Sequence, residues 1–277
     1  MATALNQQGF LFSQVIREKI RFDRPGNGQP QKAWKFLTEE FSVTAADGAQ
    51  TRIDLVLGNV RNPGAYLCIE CKRMNPLYKE WIFFDRRRRP DGSPNREAYF
   101  ESFRLSGRPI RPEAPAHHGM ERCPIGQTSF IFTYYLEVAI DKQNKPGSTE
   151  TIETAFQQIT RGQAGFMAKQ LEFEGPFKMV AIPAVVTTAK LYEARFDEGQ
   201  ISLDAGTIEP SMLKLDPMEF CAVNYHANDQ LAVRSKYAQP LKTIELDMEF
   251  GQIRTVFVVQ SEAILKFLDW LDANIIV

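Results

Sequence analysis

Asp54, Glu70 and Lys72 stand close together in the chain and have the side-chain types that phosphate chemistry uses. Two carboxylates brought together in a half-buried place repel each other and lose hydration, so they call for a compensating cation. Hard oxygen ligands select Mg²⁺ or Mn²⁺, and the backbone carbonyl of Cys71 can add a third oxygen to those of Asp54 and Glu70. A divalent cation in that position would acidify water and neutralise charge developing on a phosphate. Lys72 would orient or deprotonate the attacking water, or stabilise an oxygen in the transition state. The expected site is thus a metal held by Asp54, Glu70 and the Cys71 carbonyl, with Lys72 as the catalytic base or stabiliser.

These residues converge only if the elements carrying them are strands. Side chains alternate between the two faces of a strand. Over 67–72 that rule sends Leu67, Ile69 and Cys71 to one face and Cys68, Glu70 and Lys72 to the other. Over 52–57 it sends Ile53, Leu55 and Leu57 one way and Asp54 the other. The turn signal Asn62-Pro63-Gly64 separates the two segments, so pairing across it brings Asp54 towards Glu70. A further strand over 34–43, joined through Ala46-Asp47-Gly48, completes a meander. Ahead of it, 8–20 reads as an amphipathic helix with Leu11, Val15, Ile16 and Ile20 at helical spacing.

The pattern Arg52-Ile53-Asp54-Leu55-Val56-Leu57, a turn, and Leu67-Cys68-Ile69-Glu70-Cys71-Lys72-Arg73 resembles the PD-(D/E)xK phosphodiesterase superfamily, the fold of many restriction endonucleases and repair nucleases. Ile53 stands where the superfamily's name has proline. The resemblance implies an α/β fold: a restriction endonuclease-like mixed central sheet flanked by helices, here with a long basic insertion after the third strand. It also implies an Mg²⁺-dependent endonuclease cutting DNA, as in restriction or bacterial antiviral defence. Members often add a glutamate from the first helix or first strand, which makes Glu18, Glu39 and Glu40 candidates, with Glu18 slightly preferred. Members also place a polar residue of a later helix at the site. The helix expected over 149–171 offers Gln158 and Arg161, three residues apart on one face.

The charge distribution agrees with an anionic partner. The whole chain has a net charge of −1, yet residues 72–111 hold 11 Lys/Arg against 5 Asp/Glu, a net of +6. Arg73, Arg86, Arg87, Arg88 and Arg89, together with Arg161, are the expected nucleic-acid contacts, binding phosphates without reading sequence. Residues 75–128 show no clear periodicity and are expected to form an insertion between a core over 8–72 and 129–196. A strand over 254–260 and a helix over 261–274 are expected to follow as an extension, all within one nuclease-like domain. Double-stranded DNA is the expected partner. Cutting both strands needs two sites, so a homodimer is expected, and an activator or partner protein is compatible with the same reading.

Cys68 and Cys71 have a Cys-x-x-Cys spacing, with His117, His118 and Cys123 as imaginable zinc partners, but three residues apart on a strand they face opposite ways. Reduced, buried thiols are expected instead. The opening Met-Ala-Thr-Ala-Leu-Asn-Gln-Gln lacks a basic region followed by an apolar core, and no apolar run spans a bilayer, so a cytoplasmic location without membrane contact is expected. Three alternatives remain open from sequence: a repair or RNA-directed nuclease, a non-catalytic nucleic-acid-binding or interaction module with this fold, and a surface strand whose charges form solvated pairs.

Overall fold

The computed structural model describes residues 10–22, 32–44, 48, 50–74, 80–86, 97–105, 116–124, 131–138, 150–170, 178–202, 204, 207–226 and 253–274. Helix α1 (Phe10–Phe22) leads into β1 (Trp34–Thr44), β2 (Gln50–Asn59) and β3 (Ala65–Lys72), the expected helix and meander. Then come β4 (Glu80–Arg86), β5 (Glu97–Leu105), β6 (Ala116–Pro124), β7 (Ile131–Val138), α2 (Glu150–Gln170), β8 (Lys178–Thr187) and β9 (Lys190–Arg195). Two short 3-10 turns, β10 (Lys214–Met218), β11 (Phe220–His226), β12 (Ile253–Gln260) and α3 (Ile264–Asn274) follow.

Among the described residues, twelve strands join one mixed sheet, ordered β1-β2-β3-β8-β12-β11-β7-β4-β9-β10, with β5 pairing β8 and β6. The coarse expectation of a mixed α/β sheet flanked by helices therefore holds. Two segments sit elsewhere than expected. The stretch anticipated as an insertion supplies β4, β5 and β6, and β4 lies inside the sheet between β7 and β9. The C-terminal strand, anticipated as an extension, lies in the interior between β8 and β11. Among the described residues no helix is long and apolar enough to cross a membrane.

Alternation on the central strands builds two cores, one on each face of the sheet. On β8, Val180, Ile182, Ala184 and Val186 face the cluster under α1 and α3, and Ala181 and Val185 face the cluster under α2. Helix α3 buries Ile264, Phe267, Leu268 and Leu271, the stripe its periodicity predicts. Helix α2 buries Ile152, Phe156, Ile159 and Gln163, which recur at helical spacing along one face. On α1 the expectation is only half met, because Ile16 and Ile20 are buried while Leu11 and Val15 are exposed. Cys68 and Cys71 belong to opposite cores, which separates their thiols as strand alternation requires.

Candidate active site

The β2–β3 ladder runs from Gly58↔Tyr66 to Leu55↔Ile69. Strand β3 continues beside β8 as far as Lys72↔Thr187, and β2 continues beside β1 to its other end at Gln50↔Thr44. The two site-bearing strands therefore part company at the level of Asp54 and Glu70. An amide exposed by such a parting needs another acceptor. Asp54 provides it: the Cys71 N–H donates to Asp54 Oδ2 at 2.7 Å. In a strand the N–H and C=O of one residue point to the same side, so the Cys71 carbonyl also faces the opening beside Asp54. The end of β3 is fastened by Thr188 N–H donating to the Lys72 carbonyl at 3.3 Å and Met74 N–H donating to Thr188 Oγ1 at 2.9 Å.

Strict alternation on β2 fails at Asp54. Leu55 and Leu57 join the core under α1 and α3, as expected, but Ile53 joins Val56 and Cys68 in the core under α2. The close approach of Gly162 on α2 explains why Ile53 can turn that way, since a Cβ on Gly162 would lie 2.8 Å from Ile53 Cγ1. Strand β1 changes face at the same level. The register sets Glu39 opposite Leu55 and Phe41 opposite Ile53, which brackets Glu40 against Asp54. Glu39 reaches Arg17 of α1, whereas Phe41 meets Phe166 of α2 edge to face. Glu40 is the pivot between them, with a φ of 49°, a left-handed conformation that costs a non-glycine residue on the order of 1 kcal/mol.

On β3, Glu70 and Lys72 share a face as alternation predicts, and Lys72 Nζ lies 2.8 Å from Glu70 Oε1. Lys72 also donates to Gln158 Oε1 on α2. Burial raises the Glu70 carboxyl to about 7, with repulsion from Asp54 adding to the rise and Lys72 opposing it. Burial likewise raises Asp54, against the lowering effect of the Cys71 amide. The Cys71 thiol is pushed well up by burial and by the two carboxylates, which leaves its carbonyl, not its sulfur, as the group suited to a cation.

The third acid at this place is Glu40, not Glu18. Glu40 acts electrostatically on Asp54, Glu70 and Cys71. It is paired with Arg52 at 3.0 Å. Glu18 instead pairs with Arg17 at 2.7 Å and Arg21 at 3.8 Å on its own helix. Glu39 is held by Arg17 at 2.7 Å and Gln14 at 3.1 Å. The slight preference for Glu18 is corrected on these grounds. A signal was present in the chain, because carrying the hairpin register back from Asp54 lands on Glu40 rather than Glu39.

Gln158 is brought to the site by its bond with Lys72, and Arg161, on the same helix, acts electrostatically on Tyr225 of β11. Arg73 is exposed just past Lys72. Only the backbone of Arg86 is described, at the end of β4, and Arg87, Arg88 and Arg89 lie outside the described residues.

Among the described residues, no group of three or more His, Cys, Asp or Glu side chains is placed to hold a metal ion. The oxygens at the opening nevertheless fit Mg²⁺ or Mn²⁺. Mg²⁺ is commonly bound through one or two carboxylates while keeping several waters, so Asp54, Glu70 and the Cys71 carbonyl are the groups that could hold it here. A carboxylate as buried as Glu70, at 6% exposure and with its titration pushed up to about 7, is one whose negative charge lacks full compensation. A bound divalent cation would supply it. No protein-family model, no curated protein and no solved structure matches the chain.

Proposed function

We propose that this chain is a divalent-metal-dependent nuclease that hydrolyses phosphodiester bonds in double-stranded DNA. One observation carries the reading: where β2 and β3 separate, the Asp54 carboxylate accepts the Cys71 amide beside a buried Glu70 that is bonded to Lys72. This places two carboxylates, a backbone carbonyl and an ammonium at one opening in the sheet. The basic stretch that begins at Lys72 supports an anionic polymer as substrate, because clustered cations raise the local concentration of phosphates.

Asp54, Glu70 and the Cys71 carbonyl would hold Mg²⁺ or Mn²⁺, and Glu40 adds negative charge to the same place. When bound, such an ion lowers the pKa of water and neutralises charge on the phosphate. The chain's own groups do the rest. Glu70 and Gln158 hold the Lys72 ammonium between them, so its donors are aimed before substrate arrives. Lys72 orients the attacking water and hydrogen-bonds a phosphoryl oxygen as the water oxygen bonds to phosphorus. The bond from phosphorus to the leaving sugar oxygen breaks; the attacking water gives up a proton to solvent, and the leaving oxygen takes one from solvent, so that OH is added to phosphorus and H to the sugar oxygen.

The test is incubation of the full chain with supercoiled plasmid, linear duplex, single-stranded DNA and RNA, each with Mg²⁺, Mn²⁺ or EDTA. Metal-dependent cutting of duplex DNA is expected. Cleavage that persists unchanged in EDTA, or no cleavage of any substrate, contradicts the reading.

A further inference from the structure

The hairpin of β1 and β2 runs on past the opening in the sheet. Its register pairs Ser42 with Arg52, Val43 with Thr51 and Thr44 with Gln50, and Arg52 stands two residues before Asp54. Ser42, Thr44, Gln50 and Arg52 are exposed, whereas Val43 is buried. A cavity of about 390 Å³ opens along this stretch, lined by Ser42, Val43, Thr44, Gln50, Thr51 and Arg52. Its lining offers hydroxyls, an amide and a guanidinium, and holds no carboxylate.

Two cations reach this groove. The Arg52 side chain is 67% exposed and meets Glu40 at 3.0 Å, a contact so open to water that it holds the guanidinium weakly. A phosphate can take the guanidinium over, because the planar fork bonds phosphate through two parallel hydrogen bonds. Lys169, exposed near the end of α2, donates to the Ser42 carbonyl at 3.4 Å and lies 4.7 Å from the centre of the Phe41 ring. The hairpin is also braced. A Cβ on Gly165 of α2 would lie 2.8 Å from Val43 Cβ and 3.1 Å from the Thr44 carbonyl oxygen, and Phe41 packs edge to face on Phe166. The groove is thus formed before a ligand arrives, which lowers the cost of binding.

We infer that this groove seats the sugar–phosphate backbone of a DNA duplex beside the bond to be cut. Arg52 bonds one phosphate, Lys169 attracts another, and Ser42, Thr44 and Gln50 donate to phosphate and sugar oxygens. The inference rests on the nuclease reading of Asp54, Glu70 and Lys72 and adds to it the surface on which the substrate lies. Cations among hydroxyls and amides are the groups that contact a nucleic-acid backbone. An apolar ligand finds no apolar wall here, since Val43 is only 4% exposed. Strand β1 forms an edge of the sheet, but Lys169 at the Ser42 carbonyl opposes the addition of a peptide strand. The spacing also fits. Residues on a strand advance by ~3.4 Å, which sets Arg52 and Gln50 about 7 and 14 Å from Asp54 along β2. One DNA strand also advances ~3.4 Å per nucleotide, so the groove spans about two to four nucleotide steps from the candidate metal site.

The test is binding of a short fluorescent duplex to the full chain in EDTA, where nothing is cut, followed by anisotropy between ~50 and ~200 mM NaCl. Arg52→Ala should bind about 10-fold more weakly, and the slope of log affinity against log salt should shrink by about 0.9, the loss of one phosphate contact. Arg52→Lys should keep the slope. The Arg52→Ala effect should persist in a Glu40→Gln background, where an uncovered acid cannot cause it. Lys169→Ala should shrink the slope as Arg52→Ala does, and Gln50→Ala should weaken binding by about 3-fold at an unchanged slope. Lys266→Ala, on the exposed side of α3, should change neither, and circular dichroism should be the same for all variants. Wild-type affinity and slope in Arg52→Ala and Lys169→Ala, an equal effect from Lys266→Ala, or no binding by wild type at ~50 mM salt would overturn the assignment. A parallel cleavage assay in Mg²⁺ separates the two claims. Cutting of duplex with binding indifferent to the groove variants removes the groove alone, whereas groove-dependent binding without cutting removes the nuclease reading and leaves the groove.

Discussion

The Cys71 amide donates to Asp54 Oδ2 at 2.7 Å at the place where β2 stops pairing with β3. One carboxylate therefore has two duties: it replaces a missing backbone rung and it faces the opening as a candidate ligand. Substitution separates the duties. Asp54→Asn retains an oxygen that can accept the amide and should keep stability within about 1 kcal/mol of wild type, whereas Asp54→Ala orphans the amide and should lose about 1–3 kcal/mol. Both should cut DNA at least ~100-fold more slowly. Urea denaturation beside a cleavage assay checks this, and equal stability of the two variants would show that the hydrogen bond carries no weight.

Glu70 makes the stability of the metal-free protein depend on pH. Its carboxyl is raised from 4.5 to about 7 by burial and by Asp54. A group raised in the folded state contributes stability that is fully present below its unfolded value and is lost as pH rises through its folded value. The metal-free protein should therefore weaken between pH ~4.5 and ~7, by on the order of 3 kcal/mol from this group. Denaturant midpoints measured in EDTA across that window should fall with pH, and Glu70→Gln should flatten the trend. A profile as steep in Glu70→Gln as in wild type would refute this origin.

Glu40 and Glu18 should behave differently. Glu40 adds to the negative potential at Asp54 and Glu70, and Glu18 is committed to Arg17. Glu40→Gln should raise the Mg²⁺ concentration for half-maximal cleavage by about 3–10-fold, a loss of roughly 1 kcal/mol of attraction. Glu18→Gln should leave it within about 2-fold, as expected for a partly exposed ion pair away from Asp54 and Glu70. A metal titration of each variant decides, and the reverse ranking would return Glu18 to the site.

Gly162 tests whether α2 sets the turn in β2. A methyl there would lie 2.8 Å from Ile53 Cγ1, one residue before Asp54. An alanine in a helix interior is ordinarily worth about 1 kcal/mol over glycine. Here Gly162→Ala should instead destabilise by about 1–3 kcal/mol through overpacking, and Ile53→Ala in the same chain should recover part of the loss. Thermal unfolding of the single and double variants provides the check, and a stabilised Gly162→Ala would mean that the helix yields freely.

How much of this could be read from the chain follows from how local each signal is. Glu70 and Lys72 on one face, Cys68 and Cys71 on opposite faces, and the buried stripes of α2 and α3 all follow from periodicity within one element, and all are found. The failures involve partners distant in sequence. Ile53 turns towards α2 because Gly162 leaves room, which no strand-local rule contains. Glu40 faces Asp54 because of a hairpin register and a left-handed residue. Strand β4 eluded periodicity because Trp81, Ile82, Phe83 and Phe84 are apolar on both faces, and its neighbours β7 and β9 lie far along the chain. The placement of β12 between β8 and β11 is likewise a matter of long-range pairing, which its own continuous apolar run does not encode.

The most direct measurement of the central claim is the single-turnover cleavage rate of duplex DNA in Mg²⁺ for wild type and Lys72→Ala, with folding of both confirmed by circular dichroism. Lys72 is held by Glu70 at 2.8 Å and by Gln158, at the opening that Asp54 borders. Wild type should cut, EDTA should abolish cutting, and Lys72→Ala should fall by about 10²–10⁴-fold, the range of a lost proton-transfer or charge-stabilising group. Cutting by a folded Lys72→Ala at the wild-type rate would contradict the account.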